Sequence, residues 1–365
     1  MSNLPYLDIL QTASMIPIVD FVLGFFSEEL CIDLGTANTL VYVKGKGIVI
    51  REPSIVAQHR RTKKVLAIGR EAKMMIGKTP QAIEAVRPLK DGVVCDFDST
   101  LAMLSYFVRK VHEKPGTRFS IPRPKVIIGV PMQISEVEKR AVVDAAHASG
   151  VRQVFLVEEP AASALGAGLP VGEAFGSMIV DIGGGTCEIA VLSLGGIVVG
   201  KSLRVSGDAM DMAIISYVRS RWGLLIGERT AEEVKMLIGS AYPMVLEKET
   251  VVRGRDLESG LPRSVKINST QVREALAPVI NIILGAIKDI IEDTPPELIS
   301  DVAERGIMLS GGGGLLGGLA KLISQETKMP VTIAEDPLSG VVIGCAKLLE
   351  DETLLKKLAI AKSSR

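Results

Sequence analysis

The chain is poor in aromatic residues and carries no excess of charge. Only 4% of it is Phe, Trp or Tyr, too little for platforms on which nucleobases stack. Forty-two Lys and Arg balance 42 Asp and Glu, so no surplus of cations is available to displace counterions from a nucleic-acid backbone. Nucleic acid is therefore not an expected partner. Cys31, Cys95, Cys187 and Cys345 form no C-x-x-C pair and read as small apolar residues of a reducing cytosol. His59, His112 and His147 are equally scattered, and neither H-E-x-x-H nor G-x-S-x-G occurs, so metalloprotease and serine-hydrolase chemistry has no anchor. No Lys or Arg precedes Lys44, which removes the basic start of a secretory signal.

What is present fits a large globular protein. A length of 365 residues gives a prior of about two domains. With 47% hydrophobic and 23% charged residues the chain can fill a sizeable core. Residues 1–28 stand apart: 9–26 is largely apolar, yet Pro17 and Asp20 interrupt it, which disfavours a spanning helix of about 20 residues. The preferred reading is a helix lying on a membrane surface, although the usual cationic face is missing. The alternative is a segment packed against the protein or a neighbouring subunit.

From Glu29 onward, short β-rich runs alternate with helical ones, the pattern of an α/β fold. Runs 40–43, 126–130, 154–157, 178–181, 188–192, 197–202, 307–309 and 330–333 predict strands. A helix is predicted over 135–150, with Ser135 and Glu138 as a capping box, Val137, Ala141, Val142 and Ala145 as its apolar stripe, and Gly150 closing it. Pro160 suits the first turn of another helix running towards Gly168. Further helices are expected over 105–112, 230–238, 272–292 and 315–327, and a surface hairpin or loop over 247–265.

One internal echo carries chemistry. Cys31-Ile-Asp33-Leu-Gly35-Thr36 returns as Ile179-Val-Asp181-Ile-Gly183-Gly-Gly185-Thr186, so Asp33 and Asp181 are 148 residues apart. Each copy is an apolar strand ending in Asp, then a glycine turn, then a second strand. Two copies at domain-sized spacing imply two related halves. A glycine turn exposes successive backbone N–H groups and lets an anion approach closely. Thr36, Asn38 and Thr186 add side-chain donors, and Asp33 and Asp181 suit Mg²⁺ held mostly through water. At Gly184 a branched side chain is expected to fill the phosphate's approach. The Ser310–Gly314 cluster formally satisfies G-x-G-x-x-G through Gly312, Gly314 and Gly317, but its late position fits a floor under a nucleoside better than a dinucleotide fold. Gly77-Lys78-Thr79 looks like the end of a P-loop but lacks the leading glycine, since position 72 is Ala.

These segments resemble a known family. Asp33–Thr39, Glu158-Glu159-Pro160, Asp181–Thr186 and Ser310–Gly314 are similar to the phosphate-1, connecting, phosphate-2 and adenosine motifs of the actin/heat-shock/sugar-kinase ATPases. Stretches such as Glu52-Pro-Ser54, Ile76-Gly-Lys-Thr-Pro80, Gly227-Glu-Arg-Thr-Ala231 and Thr294-Pro-Pro-Glu297 narrow the resemblance to the bacterial actins of the MreB family, over about residues 29–360. It implies an actin-like ATPase fold: two duplicated RNase H-like halves and four subdomains around a nucleotide cleft. The implied division is 29–56, 91–173 and 344–365 for subdomain IA, 57–90 for IB, 174–209 and 274–343 for IIA, and 210–273 for IIB.

The resemblance also implies ATP and Mg²⁺ as ligands and a slow Mg-dependent ATPase coupled to polymerisation. Phosphates would be held by Thr36, Ala37, Asn38, Gly183, Gly184, Gly185 and Thr186. The nucleoside would lie against Glu232, Glu233, Val234, Lys235 and Gly311, Gly312, Gly313 and Gly314. Glu159 would orient the attacking water with help from Thr186, and Asp33 and Asp181 would face the metal. Cys187 departs from the second Thr of many relatives. Phe119 and Ile121, set among Arg118, Arg123 and Lys125, match the family's membrane-insertion loop and suit an anionic lipid surface. The implied partners are further copies of the chain in paired filaments, the membrane, and membrane proteins of cell-wall synthesis and morphogenesis. The implied location is cytoplasmic, peripheral on the inner face of the membrane, in rod elongation or division-site synthesis. A heat-shock-type chaperone or a sugar kinase shares the core motifs. The first usually carries a peptide-binding domain, for which only about 45 residues remain after Ala320. The second needs a sugar pocket with an Asp base.

Overall fold

The computed structural model describes residues 27–113 and 123–364. The apolar N-terminal segment up to residue 26, and Phe119 and Ile121, lie outside the described residues.

Two large sheets share one plan. The first runs Ala359–Ser364, Gln153–Glu158, Lys125–Val130, Leu30–Leu34, Asn38–Val43, Gly47–Pro53. The second runs Gly196–Leu203, Cys187–Ser193, Ser177–Ile182, Ile307–Ser310, Val331–Ile333. In each, a three-stranded antiparallel meander is extended by two strands parallel to its first member. Leu30–Leu34 and Ser177–Ile182 read as almost unbroken apolar runs because helices cover both faces. The duplication expected from the Asp33 and Asp181 echo is therefore a duplication of whole sheets.

Each half sends one helix into the waist between the sheets. Glu159–Gly166 follows the strand Gln153–Glu158, and Gly340–Glu350 follows Val331–Ile333. A Cβ on Gly166 would overlap the carbonyl oxygen of Gly340, and one on Gly344 that of Ala162. The two helix backbones thus touch where glycine alone permits it. Around them lies a shared apolar layer, with Cys31, Ile127 and Val157 from one half and Ile179, Ala190 and Leu192 from the other.

The helix Glu136–Ala148 has the expected Ser135–Glu138 capping box. Its buried stripe is Val142, Ala145 and Ala146, whereas Val137 is 80% exposed. Five residues separate Val137 from Val142, about 140° around a helix, so it cannot share that face. The helix expected over 105–112 starts earlier, as Phe97–His112, because the Asp96 side chain accepts the Ser99 N–H at 3.0 Å and caps it. The segment 315–327 splits: Gly312–Leu315 is a 3-10 turn, and the helix Leu319–Thr327 begins only after Gly318. Residues 247–265 form the hairpin of Glu249–Asp256 and Pro262–Asn268, which pairs with Leu224–Leu225. A second small sheet, Val56–His59, Val65–Ile68 and Ile83–Val86, sits beside the helix Arg70–Met75. No described helix is long and apolar enough to cross a membrane.

Candidate functional site: a cleft between two glycine hairpins

The duplicated sheets place the two acid-bearing strand ends face to face. Asp33 stands in register with Leu40 and Gly129, and Asp181 with Glu188 and Ser310. Between them opens a cleft of about 690 Å³, within the range that holds a small ligand.

In both hairpins the carbonyl groups are tied back. The Ser54 N–H donates to Ala37 O at 3.0 Å and its hydroxyl to Gly35 O at 2.6 Å. The start of the helix Gly207–Trp222 does the same for the second turn: the Gly207 N–H donates to Gly183 O at 3.2 Å and the Asp208 N–H to Gly184 O at 2.8 Å, joined by the Ser206 hydroxyl. Carbonyl dipoles held away from the cleft leave it more favourable to an anion. The tips meet each other. A Cβ built on Gly184 would lie 2.6 Å from the Cβ of Ala37, and one on Gly185 would overlap Thr36 Oγ1. A side chain at Gly184 therefore meets the opposite hairpin, rather than simply filling the phosphate's approach. Thr36 is itself anchored, its Oγ1 accepting the Gly92 N–H at 3.0 Å.

Three carboxylates, Asp33, Glu159 and Asp181, line the floor, and a fourth, Glu188, is buried close to them. Burial, and then the charge of Asp181, pushes Asp33 up to about 7. Asp181 rises to about 6 through burial, held back by the hydroxyls of Ser163 and Ser310. Glu159, in the first turn of its Pro160-started helix, is driven well above the ordinary range by burial and by Glu188, Asp33 and Asp181. Glu188 reaches about 8 through burial, opposed by hydrogen bonds from Ser202 and the Met132 N–H. Among the described residues no Lys or Arg acts on any of the four, so this cluster lacks positive charge. A divalent cation is the group that would supply it. Among the described residues no three of His, Cys, Asp and Glu converge to enclose a metal by themselves. Asp33 and Asp181 would accordingly share it with water and ligand oxygens, as Mg²⁺ prefers.

Most of the residues expected at the site do line this cleft: Asp33, Thr36, Ala37, Asn38, Glu159, Asp181, Gly183 to Thr186, Glu232, Lys235 and Gly311 to Gly313. Three do not. The helix Glu228–Ile238 turns Glu233 to solvent, where it pairs with Arg229 at 2.9 Å, and buries Val234 in the core of the second half. Only Glu232, Lys235 and Met236 of that helix face inward, as a period of about 3.6 residues dictates. Gly314 is buried beneath the turn against Leu309. Lys235 bridges to Asp211 at 2.9 Å and donates to Gly207 O at 2.8 Å, so it braces the helix behind the second hairpin. Glu232 pairs with Lys73 across the cleft mouth at 3.2 Å, and Arg87 pairs with Glu228 at 3.3 Å.

A family model described as MreB/Mbl protein matches residues 27–357. The chain belongs to the MreB/Mbl family. Its relatives include the cell shape-determining protein MreB of Escherichia coli strain K12, 52% identical over 90% of this chain and 94% of the relative. Another is the cell shape-determining protein Mbl of Bacillus subtilis strain 168, 47% identical over 91% of this chain and 98% of the relative. Among solved structures, MreB5 of Spiroplasma citri bound to ADP superposes with a TM-score of 0.84 at 35% identity, covering 90% of this chain and 98% of that one. The fold is actin-like. Against the MreB/Mbl expectations, sequence reasoning missed Glu188, Asp211, Gly92 and the apolar lining of Met236, Leu315, Leu316 and Leu338. The signal for Glu188 was available: the internal echo aligns it with Leu40, so a carboxylate stands where the other copy has an apolar side chain.

Proposed function

We propose that this MreB/Mbl chain is an ATP-dependent, filament-forming bacterial actin that works at the membrane to organise cell-wall synthesis and shape, in rod elongation or at the division site. The observation that carries the reading is the pair of duplicated hairpins meeting tip to tip over a cluster of carboxylates that lacks positive charge. MreB5 of Spiroplasma citri, bound to ADP in one structure and to AMPPNP in another, supports a nucleotide in this cleft. The names of the Escherichia coli and Bacillus subtilis relatives support a role in cell shape.

Each residue then has a task. Backbone N–H groups of the turns 36–38 and 183–186, with the Thr36, Asn38 and Thr186 side chains, grip the phosphates. Gly311 to Gly313 floor the nucleoside, and Glu232 and Lys235 stand at its edge. Mg²⁺, when bound, neutralises charge that develops on the phosphate oxygens, and Asp33 and Asp181 hold its water shell. Glu159 orients the attacking water and accepts its proton, while the Thr186 hydroxyl fixes the water from the other half. A triphosphate gripped by both hairpins favours the closed pair of halves, and loss of the γ-phosphate removes that link. The division into four subdomains at the boundaries given above is part of this reading. So is a peripheral place on the cytoplasmic face of the membrane, with contacts from Phe119, Ile121 and the N-terminal segment.

The test is sedimentation and phosphate release with ATP and Mg²⁺, followed by flotation with anionic liposomes. Polymer, slow phosphate release and co-flotation are expected. Deletion of residues 1–26 combined with Phe119→Ser and Ile121→Ser should polymerise and stay at the bottom. Soluble protein with sugar-dependent turnover would overturn the filament reading, and undiminished flotation of the combined variant would overturn the membrane contacts.

A further inference from the structure

Glu188 is the one member of the carboxylate cluster to which this mechanism gives no task. It is 1% exposed, has no cationic partner among the described residues, and occupies the position filled by Leu40 in the other half. A buried carboxylate without a cation is expensive to keep, and Leu40 demonstrates that this fold accepts an apolar side chain there. The contacts of Glu188 cross between the halves. Its Oε1 accepts the Ser202 hydroxyl at 2.7 Å, within the second half, while its Oε2 accepts the Met132 N–H of the first half at 3.3 Å.

Both ends of that link lead to the attacking water. Thr186 immediately precedes the strand Cys187–Ser193 and, like Glu188, faces the first half: a Cβ on Gly92 would lie 2.9 Å from its methyl carbon. The neighbours Cys187 and Ile189 point instead into the core of the second half. On the other side, Met132 lies two residues beyond Val130, which is in register with Glu158, the residue before Glu159. The turn at Met132 is wedged on two further sides. A Cβ on Gly200 would lie 2.8 Å from the Met132 sulfur, and Gly92 lies against both Pro131 and Thr186.

We propose that Glu188 is a positioning residue: by holding the Met132 N–H it sets Thr186 of one half and Glu159 of the other at the separation that orients the attacking water. The inference rests on the ATPase reading. Nucleotide grip is spread over both hairpin backbones and the Thr36 and Asn38 side chains as well as Thr186, so the larger effect falls on turnover.

The experiment compares steady-state ATP hydrolysis and Mg-ATP affinity in the full chain and in Glu188→Leu, Glu188→Gln and Ser202→Ala. Glu188→Leu should lower kcat about 10- to 100-fold, with KM and affinity within about threefold of wild type. Glu188→Gln can still accept the Met132 N–H and donate to Ser202, and should return kcat to within about threefold. Ser202→Ala frees the carboxylate on one side and should lower kcat by about three- to tenfold. A wild-type kcat in Glu188→Leu overturns the proposal, as does a parallel loss of affinity and kcat, or a glutamine variant as slow as leucine. If Glu188→Leu does not fold, a wild-type kcat in Ser202→Ala overturns it and a reduced kcat at unchanged KM supports it. A wild-type chain without ATPase activity would sink the ATPase reading itself, a result distinct from a failure confined to Glu188.

Discussion

Replacing Gly184 by Ala adds one methyl group at the point where the halves touch. Its carbon would stand 2.6 Å from the Cβ of Ala37, against about 3.5–4.0 Å for carbons at ease. The tips must separate by about 1 Å or accept the strain of an overpacked contact, typically about 1–3 kcal/mol. Gly184 has a negative φ that Ala adopts freely, so the penalty comes from the neighbour and not from the backbone. An opened cleft escapes the clash, so the strain moves the open–closed equilibrium by its full amount. At about 1.4 kcal/mol per tenfold, Mg-ATP affinity should fall about 5- to 150-fold. Ala37→Gly removes the atom being struck, leaving the Ala37 nitrogen at 3.4 Å as the nearest neighbour. The double variant should therefore recover most of the affinity, while Ala37→Gly alone changes it little. The assay is competition of ATP against a fluorescent analogue, read by anisotropy with Mg²⁺ present, across the four members of the cycle. Wild-type affinity in Gly184→Ala would refute the contact. A loss that Ala37→Gly fails to rescue would show instead that the methyl acts on the phosphate directly.

Three further outcomes are expected. Glu159→Ala should bind Mg-ATP and assemble, yet release phosphate about 10²- to 10⁴-fold more slowly, and release at the wild-type rate would remove Glu159 from the chemistry. Asp33→Ala and Asp181→Ala should weaken ATP more with Mg²⁺ than in chelator, and equal losses under both conditions would contradict a role through the metal. Asp33 and Asp181 rise to about 7 and about 6, above their unfolded value of 3.8, so the folded chain holds protons that the unfolded chain has lost. Their contribution is present below pH 4 and lost as pH rises towards 7. Magnesium- and nucleotide-free protein should thus melt lower at pH 8 than at pH 6, and Asp33→Asn should flatten that difference; an unchanged slope in the variant would count against the buried acid.

The parts legible in the sequence were those fixed by local backbone need. An apolar strand, an Asp and a glycine turn announce themselves wherever they occur, and here they occurred twice. The Ser135 capping box is equally local. What escaped depends on which face of an element meets something distant. Glu233 and Val234 sit in the same helix as Glu232, and only the packing of that helix against the helix Gly207–Trp222 and the strand Glu249–Asp256 decides which of them sees the cleft. Val137 is apolar and helical, yet its angle around the helix leaves it in water. The start of the helix at Phe97 was hidden because its first turn lacks an apolar rhythm, and the Asp96 cap alone marks it.

The two halves share a plan but divide the chemistry. In the first, the strand Gln153–Glu158 runs directly into its waist helix, so Glu159 is delivered at the strand end. In the second, six residues, 334–339 with Pro337 among them, lead from Val331–Ile333 to a helix beginning at Gly340, whose hydrogens face Ser163 and Ser310 instead of a carboxylate. The first half therefore brings the acid and the second brings Thr186, the glycine floor and Glu188. In the proposed mechanism neither half holds a complete site, and the placement of water against Glu159 depends on how the halves stand to each other. Close backbone contact at Gly166 and Gly344 opposes sliding of the waist helices, so the movement expected between the halves is rotation about them. Rotation displaces points far from its axis most. The hairpin tips and the cleft mouth, where Lys73 meets Glu232, are those points, which is why a contact as small as Gly184 on Ala37 can govern whether the site is assembled.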